Sequence, residues 1–441
     1  MMYRIKWIGL FLCFIFIQSM LFPVSSKAQE PVEFFTLKQT IESAIKANLG
    51  LKSSKEETAA ALAVKKARRT QFFPTLSASY GYNRFDAETV TSGFTAVPKE
   101  EYSFVTSFSQ PIFTGFSLLR QYDIAKLGLD KAKVNEQLTR QNIILDAKNA
   151  YFQLLQTQKL YDIAQKTVVQ IRAQKEVADN FYQVGMTPLN DLLQAQVELA
   201  NAKQELIIAR NNMDNAESNF NTLLRRPINT PVVLKDILTY SPFEENLEYC
   251  LAEAAKNRFE IKIADTEVEI AQKELELTKK DYYPSIDLQG NYFKYGTQWD
   301  VDGGEGIYDP SGWNIEAVAK WNFWEWGRTT YGVKEKHSRY SQAQLKKQEI
   351  LDNIHLEVKN AYLRTQEAER AIKTVETAIE QAKENFRINQ ERYKEQISTQ
   401  TDVLIAQTLL SRTMTNYYNA LYAFKISKAT LYRTIGQEVI E

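Results

Sequence analysis

The sequence predicts a mainly α-helical chain with transmembrane β structure: long antiparallel coiled-coil helices, plus four strands per chain that contribute to a trimeric 12-stranded β-barrel. Three observations predict this. Gly and Pro are absent between Gly128 and Gly185, between Pro242 and Pro284, and from Val333 to Ile435, gaps that only long helices fill. Where Gly and Pro cluster, the apolar period changes from helical to two, the period of a strand. The whole pattern then occurs twice.

The helical gaps carry a heptad seam. Ile144, Ala147, Tyr151, Leu154, Tyr161 and Val168 fall on alternating steps of three and four, with Gln158 and Gln165 in the skipped places. The strands alternate. Leu76, Ala78, Tyr80 and Tyr82 are separated by Ser77, Ser79 and Gly81; Tyr102, Phe104 and Phe108 by serines; Ile286, Leu288 and Tyr292 by Asp287, Gln289 and Asn291. In the fourth, Trp313, Ile315, Ala317, Ala319, Trp321 and Phe323 alternate with Asn314, Glu316, Lys320 and Asn322. Each has about the ten residues a tilted barrel strand needs to cross a bilayer.

The duplication has a nearly constant offset. Phe72-Phe73-Pro74-Thr75 returns as Tyr282-Tyr283-Pro284-Ser285, Asn149-Ala150-Tyr151 as Asn360-Ala361-Tyr362, and Asp191 with Leu193 as Asp402 with Leu404. The chain therefore divides into a first repeat (29–225, β-hairpin 74–113), an equatorial linker (226–243), a second repeat (244–435, β-hairpin 284–324) and a tail (436–441). Within the first repeat, one helix is expected over 37–73, a long one over 116–184 and a third over 188–225. At about 1.5 Å per residue the long helix spans about 100 Å, and the two shorter ones laid end to end match it. Each repeat is thus one hairpin standing on two antiparallel helical columns.

Composition narrows the function. The chain holds 54 Lys and Arg against 54 Asp and Glu, without the polybasic footprint of a nucleic-acid binder. A mean hydropathy of -0.39 excludes a bundle of membrane helices. Two His, two Cys and no nucleophile motif or phosphate loop predict no enzyme, no metal and no cofactor. Asp300, Asp302, Glu305 and Asp309 lie in a Gly-rich loop whose spacing does not match a calcium-binding EF-hand and reads as a solvated surface loop. Residues 1–28, with Arg4 and Lys6 before an apolar run from Trp7 to Ile17, read as a secretory signal peptide, so the mature chain starts near Gln29 with no cysteine for an acyl anchor. Cys250 is then the only thiol and packs as a small apolar residue.

Four strands cannot close a barrel, and an open edge in a bilayer leaves backbone groups unsatisfied, so oligomerisation follows. Two chains give a barrel just filled by side chains; three give room for an aqueous lumen. The polar inward positions, with Asn314, Glu316 and Lys320 facing the lumen, favour the homotrimer. Trp313, Trp321, Trp324 and Trp326 fit an interfacial aromatic girdle against membrane lipid.

The chain resembles the TolC-like outer membrane efflux protein family over essentially its whole mature length. The resemblance rests on Phe73-Pro74-Thr75-Leu76 and Tyr283-Pro284-Ser285-Ile286 before the strands, Phe113-Thr114-Gly115 after the first hairpin, Tyr182 to Thr187 with Asp191 at a helical turn, and the run Tyr393 to Gln407. It implies an α-barrel tunnel continuing the β-barrel across the periplasm, and a role as exit duct of a tripartite efflux pump or type I secretion system. An inner-membrane pump and a periplasmic adaptor, or membrane fusion protein, are the implied partners, and the lipid around the barrel is by the same resemblance outer membrane lipid.

At the first tip, Gly185 suits a left-handed helix-ending position, Thr187 an N-cap and Pro188 a first helical position. By resemblance, Val184, Gly185, Met186 and Thr187 contact the adaptor. The second tip, Glu395-Gln396-Ile397-Ser398, lacks the family's glycine. The resemblance further implies a periplasmic gate of Asp402, Tyr393 and Asp191, with the Asp402 pKa raised where three copies crowd together. Asp402 and Asp191 equally suit first helical turns, stabilised by the helix dipole. Ile405 stands where the family often has a second Asp, and Ser398 where some members have Arg, which predicts a weaker charged gate. The competing reading is a periplasmic coiled-coil adaptor or spacer without a pore. The cargo, set largely by the pump and adaptor, is not legible.

Overall fold

The computed structural model describes residues 34–92 and 94–438, so the expected signal peptide lies outside the described residues. In chain order the elements are β1 (Phe34–Phe35), α1 (Leu37–Ala47), α2 (Leu49–Thr70), β2 (Thr75–Arg84), β3 (Thr89–Thr91), β4 (Phe94–Val97), β5 (Glu100–Thr114), α3 (Ser117–Gln183), α4 (Leu189–Leu223) and β6 (Val233–Leu234). The second half follows with α5 (Leu247–Asn257), α6 (Phe259–Thr278), β7 (Ser285–Gly296), β8 (Ser311–Lys320), α7 (Arg328–Lys394) and α8 (Gln400–Thr434).

The single helix expected over 37–73 is instead two. Asn48 adopts an extended conformation, ends α1, and caps α2 by accepting the Leu51 N–H on its side-chain oxygen at 3.0 Å. A residue whose side chain substitutes for a lost backbone bond makes such a break inexpensive. The second half breaks at the equivalent residue, Arg258, which has nearly the same backbone angles but offers no capping oxygen. Its guanidinium works elsewhere: it donates to Glu260 at 2.8 and 3.0 Å, to Glu357 at 2.8 Å and to the Thr434 carbonyl at 3.1 Å. Arg433 adds bonds to Glu260, Glu357 and Asn142, so one ion-pair network ties α3, α6, α7 and the end of α8 together at mid-height.

Two apolar cores occupy the same level, one in each repeat. In the first, Ile41, Ala44 and Leu51 pack on Ile144, Ala147, Tyr151 and Leu155 of α3 and on Phe220 and Leu224 at the end of α4. In the second, Cys250, Ala254 and Ile261 pack on Ile354, Val358 and Ala361 of α7 and Leu431 of α8. The hydroxyl of the fully buried Tyr151 donates to the Lys235 carbonyl at 2.6 Å, with the Phe35 carbonyl at 3.2 Å sharing the same proton, which anchors the small parallel pair β1–β6. Burial, followed by the charge of Asp236, pushes its pKa up to about 12. On one side of this collar, α6 lies between α3 and α7 and forms ion pairs with both, through Glu267 and Glu276 to α3 and through Asp265 and Glu274 to α7.

Beyond α2 and α6 stands one antiparallel four-stranded sheet in the order β2-β5-β7-β8. The connection between β2 and β5 carries an unanticipated small hairpin, β3–β4. The fourth strand stops at Lys320 rather than running on to Phe323. Lys320 pairs with Ser285, and the next residue of the partner strand is Pro284, which has no N–H to continue the ladder.

Because Arg258 is 3% exposed, Arg258→Met leaves Glu260 and Glu357 with Arg433 as their remaining cation. Breaking a fully buried pair costs roughly 3–5 kcal/mol, and partial exposure of Glu357 reduces this to about 2 kcal/mol, to be read from the unfolding midpoint of the variant in denaturant.

Candidate functional site

The sheet has two chemically different faces, fixed by its register. One row, Ser77–Ser107–Asn291–Asn314, crosses all four strands, and the next, Thr75–Ser109–Gln289–Glu316, runs beside it on the same face. Lys320, opposite Ser285, belongs to this face as well. The intervening rows, Leu76–Phe108–Gly290–Ile315 and Ala78–Thr106–Tyr292–Trp313, form the other face. Leu76, Ile315 and Trp313 are all more than two-thirds exposed there, an apolar surface that nothing among the described residues covers. A bulge between Pro111 and Phe113 lets β5 keep both alternations in phase to its end.

At the far end of the helices, both tips close with the same backbone motif. Gly185 (φ 78°) donates to Tyr182 and Met186 donates to Phe181, which satisfies the last carbonyls of α3. In the second tip Gln396 takes the glycine's place at φ 60°, and Ile397 donates to Arg392. The motif thus survives without glycine. Val184, Met186 and Ile397 are exposed at the turns. The expected N-cap at Thr187 does not form: Pro188 occupies the cap position, no side chain caps α4, and the Thr187 hydroxyl is buried without a partner.

Asp402 is held by its own turn. Its Oδ2 accepts from the Thr399 N–H (3.0 Å), the Thr399 hydroxyl (2.8 Å) and the Ser398 hydroxyl (2.9 Å), while its N–H donates back to Thr399 Oγ1 (3.2 Å). This is a reciprocal capping box. These bonds, led by the Thr399 backbone N–H, hold the Asp402 carboxyl below its usual pKa, opposite in direction to the rise expected from crowding of three copies. Tyr393, by contrast, is buried against the Phe181 ring at 5.6 Å with its hydroxyl unpartnered. Burial, together with the nearby charge of Asp191, raises its pKa. The structure brings Tyr393 and Asp191 together and leaves Asp402 facing Ser398 and Thr399.

Sequence reasoning missed a groove of about 570 Å³ between the first turns of α4 and α8, floored by Leu193, Val197, Leu404 and Ile405 and bridged by Thr401 to Gln194 (2.6 Å) and Thr408 to Glu198 (3.3 Å). Its signal was present as exposed apolar residues just beyond each turn. Among the described residues no group of three metal-binding side chains exists, and in the acidic loop Glu305 accepts from the Thr95 hydroxyl at 3.2 Å.

Comparison with known proteins matches residues 40–224 and 250–437 to the family described as Outer membrane efflux protein. The chain belongs to this family. The Outer membrane protein TolC of Vibrio cholerae serotype O1 is 22% identical over 368 residues, 82% of this chain and 81% of that protein. Nodulation protein T of Rhizobium leguminosarum bv. trifolii is 22% identical over 330 residues, 72% of this chain and 68% of that protein. Among solved structures, the Campylobacter jejuni CmeC outer membrane channel superposes with a TM-score of 0.80 at 17% identity, covering 91% of this chain and 85% of its own. The open state of the Neisseria gonorrhoeae MtrE outer membrane channel does so at 0.77 and 18%, covering 91% and 89%. The two matched family segments coincide with the two repeats and leave out the collar linker.

Two outcomes test the tip chemistry. A side chain at Gly185 meets nothing within 4 Å, so Gly185→Ala is destabilising by about 1 kcal/mol through its left-handed backbone alone, while Gln396→Gly stabilises by a similar amount, both read from thermal unfolding. Because the folded-state pKa of Asp402 is depressed, its contribution is present above the ordinary carboxylate pKa and is lost as pH falls through the folded value. The difference in thermal midpoint between wild type and Asp402→Asn is therefore constant at neutral pH and shrinks below about pH 4.

Proposed function

We propose that the protein is the outer membrane exit channel of a tripartite efflux pump or type I secretion system, conducting cargo passively from an inner-membrane pump and a periplasmic adaptor to the cell exterior. The observation that carries this reading is the sheet: one face polar, one face apolar and exposed, and both edge strands, β2 and β8, paired on one side only among the described residues. Three copies paired edge to edge make twelve strands, enough for an aqueous lumen lined by Asn314, Glu316 and Lys320 with the tryptophan-bearing face toward lipid. The 67-residue helices α3 and α7 then reach about 100 Å into the periplasm as the walls of an α-barrel.

In this reading the tips lie at the tunnel's inner end. Val184, Gly185, Met186 and Thr187, with the apolar groove beside them, receive the adaptor; Tyr393 and Asp191 latch α7 to α4; and three Asp402 carboxylates near the axis favour cations. Family membership supports a channel over an adaptor or spacer without a pore, and a passive duct over an enzyme.

Single-channel recording on the purified protein in a planar bilayer tests this. Discrete, cation-selective openings whose selectivity falls in Asp402→Ala support both pore and gate. Conductance that ignores the substitution keeps the duct and removes Asp402 from the gate. Verified trimers that never conduct, even with Tyr393→Ala removing the ring that packs on Phe181 and so loosening the tip, would overturn the proposal.

A further inference from the structure

Far from the tip and the membrane sheet, at the level of the first-repeat core, a groove of about 530 Å³ opens between the α1–α2 elbow and the end of α4. Four cations line it: Lys46 and Lys52 on the elbow, Arg225 and Arg226 after α4. Among the described residues none of the four forms an ion pair or a side-chain hydrogen bond, and no carboxylate lines the groove. Elsewhere the chain pairs its charges readily, as the ion pairs along α6 show. At the floor, the Arg226 guanidinium stacks on the Phe35 ring at 4.7 Å, and its Nη1 is buried with no acceptor. A buried guanidinium nitrogen without a partner is costly unless an anionic oxygen completes it.

The internal duplication supplies an independent comparison. Arg225 (φ 56°) and its counterpart Gly436 (φ 77°) close α4 and α8 with the same pair of bonds: Arg225 to Thr222 and Arg226 to Asn221, against Gly436 to Arg433 and Gln437 to Tyr432. The second half uses glycine, which adopts this conformation without strain; the first half holds an arginine in it. The strain is confined to the copy that carries the cationic groove.

We propose that this mid-height groove docks an acidic peptide segment of a partner protein. The charges sit on both walls, with Lys46, Lys52 and Arg225 exposed at the rim and only Arg226 at depth, a layout that suits several carboxylates along a chain better than one converging oxyanion. The apolar floor of Phe35, Ala47 and Leu224 accommodates backbone and aliphatic stems, and the volume falls within the roughly 300–1,000 Å³ of ligand pockets. Docking here is separate from the tip and does not require the channel reading.

The test is fluorescence anisotropy of a labelled hexaglutamate peptide against the purified full chain in neutral detergent at low salt, with labelled hexaglutamine as comparison. Saturable binding of hexaglutamate alone is expected, weakening with salt, falling about tenfold in Arg226→Gln and comparably in the exposed pair Lys46→Gln/Lys52→Gln, and unchanged in Arg172→Gln outside the groove. Absence of binding, equal loss in Arg172→Gln, or retention in both groove variants would overturn the proposal. Displacement by inorganic phosphate at far lower concentration than by chloride at matched ionic strength would also overturn it, in favour of a simple oxyanion pocket. Conductance measured on the same variants separates this outcome from any failure of the channel reading.

Discussion

The rest of the architecture depends on two rows of backbone groups that the chain cannot satisfy by itself. β2 and β8 are the outer strands of the sheet, ten residues each, and each has one side without a hydrogen-bonding neighbour among the described residues. In water such edges are tolerable; in hydrocarbon, where every unsatisfied group costs several kcal/mol, they are not. Because the same sheet exposes Leu76, Trp313 and Ile315 on one face, water is a poor environment for it too. A closed ring of copies resolves both problems at once, since β8 of one copy and β2 of the next have equal lengths. The long helices α3 and α7 follow their strands closely, through the left-handed turns at Phe116 and Gly327.

Duplication explains the position of the collar. Each repeat divides one helical column into two segments, and the break falls at matching residues, Asn48 and Arg258. The two solve the same problem differently. Asn48 caps its helix locally, whereas Arg258 is turned inward to organise Glu260 and Glu357, and Arg433 joins it from the end of α8. The same break is thus a local cap in one repeat and part of a clamp on α3 in the other. The first repeat has a different specialisation at this level, with Tyr151 stapling β1 to the linker and the unpaired arginines following α4.

Gly and Pro spacing and the change of period made the long helices and the four strands legible, because these features follow from backbone chemistry that each residue carries alone. The break at Asn48 was missed for the opposite reason: an Asn inside a helical pattern is tolerated unless a tertiary contact, here the packing of Ile41 and Leu51 on α3, favours the bend. The tip was read in part. Gly185 announced its left-handed turn, but Gln396 adopts the same conformation without an announcing residue. Asp402 was visible as either a gate or a helix-start residue, and the bonds from Ser398 and Thr399 establish the second role within the chain. The cationic groove was not legible, because Lys46 and Lys52 lie more than 170 residues from Arg225 and Arg226 and only the fold assembles them.

The lower half of the helical column is held together unevenly. Each repeat's antiparallel pair, α3 with α4 and α7 with α8, is covalently closed by its tip turn. Between the pairs the contact is largely a seam of amides and hydroxyls: Gln156 to Asn419, Thr167 to Ser411, and Gln170 to Gln407, each at 2.7 Å. The apolar exceptions are a small cluster of Val168, Ile171, Ala202 and Leu404 and the ring contact of Phe181 with Tyr393 at the tip. Hydrogen bonds of this kind exchange for water at a net cost of only about 0.5–1.5 kcal/mol each, whereas separating a packed leucine seam forfeits several kcal/mol. At the bottom of the seam, Gln400 and Gln407 retain buried amide atoms with no partner, and so does Tyr393 its hydroxyl, groups that water would satisfy on separation. The resistance to moving one pair past the other is therefore lowest along this line and rises steeply at the collar, where the Arg258 network and two apolar cores begin. By this ordering of contacts the collar is the most firmly packed level of the column and the seam below it the least.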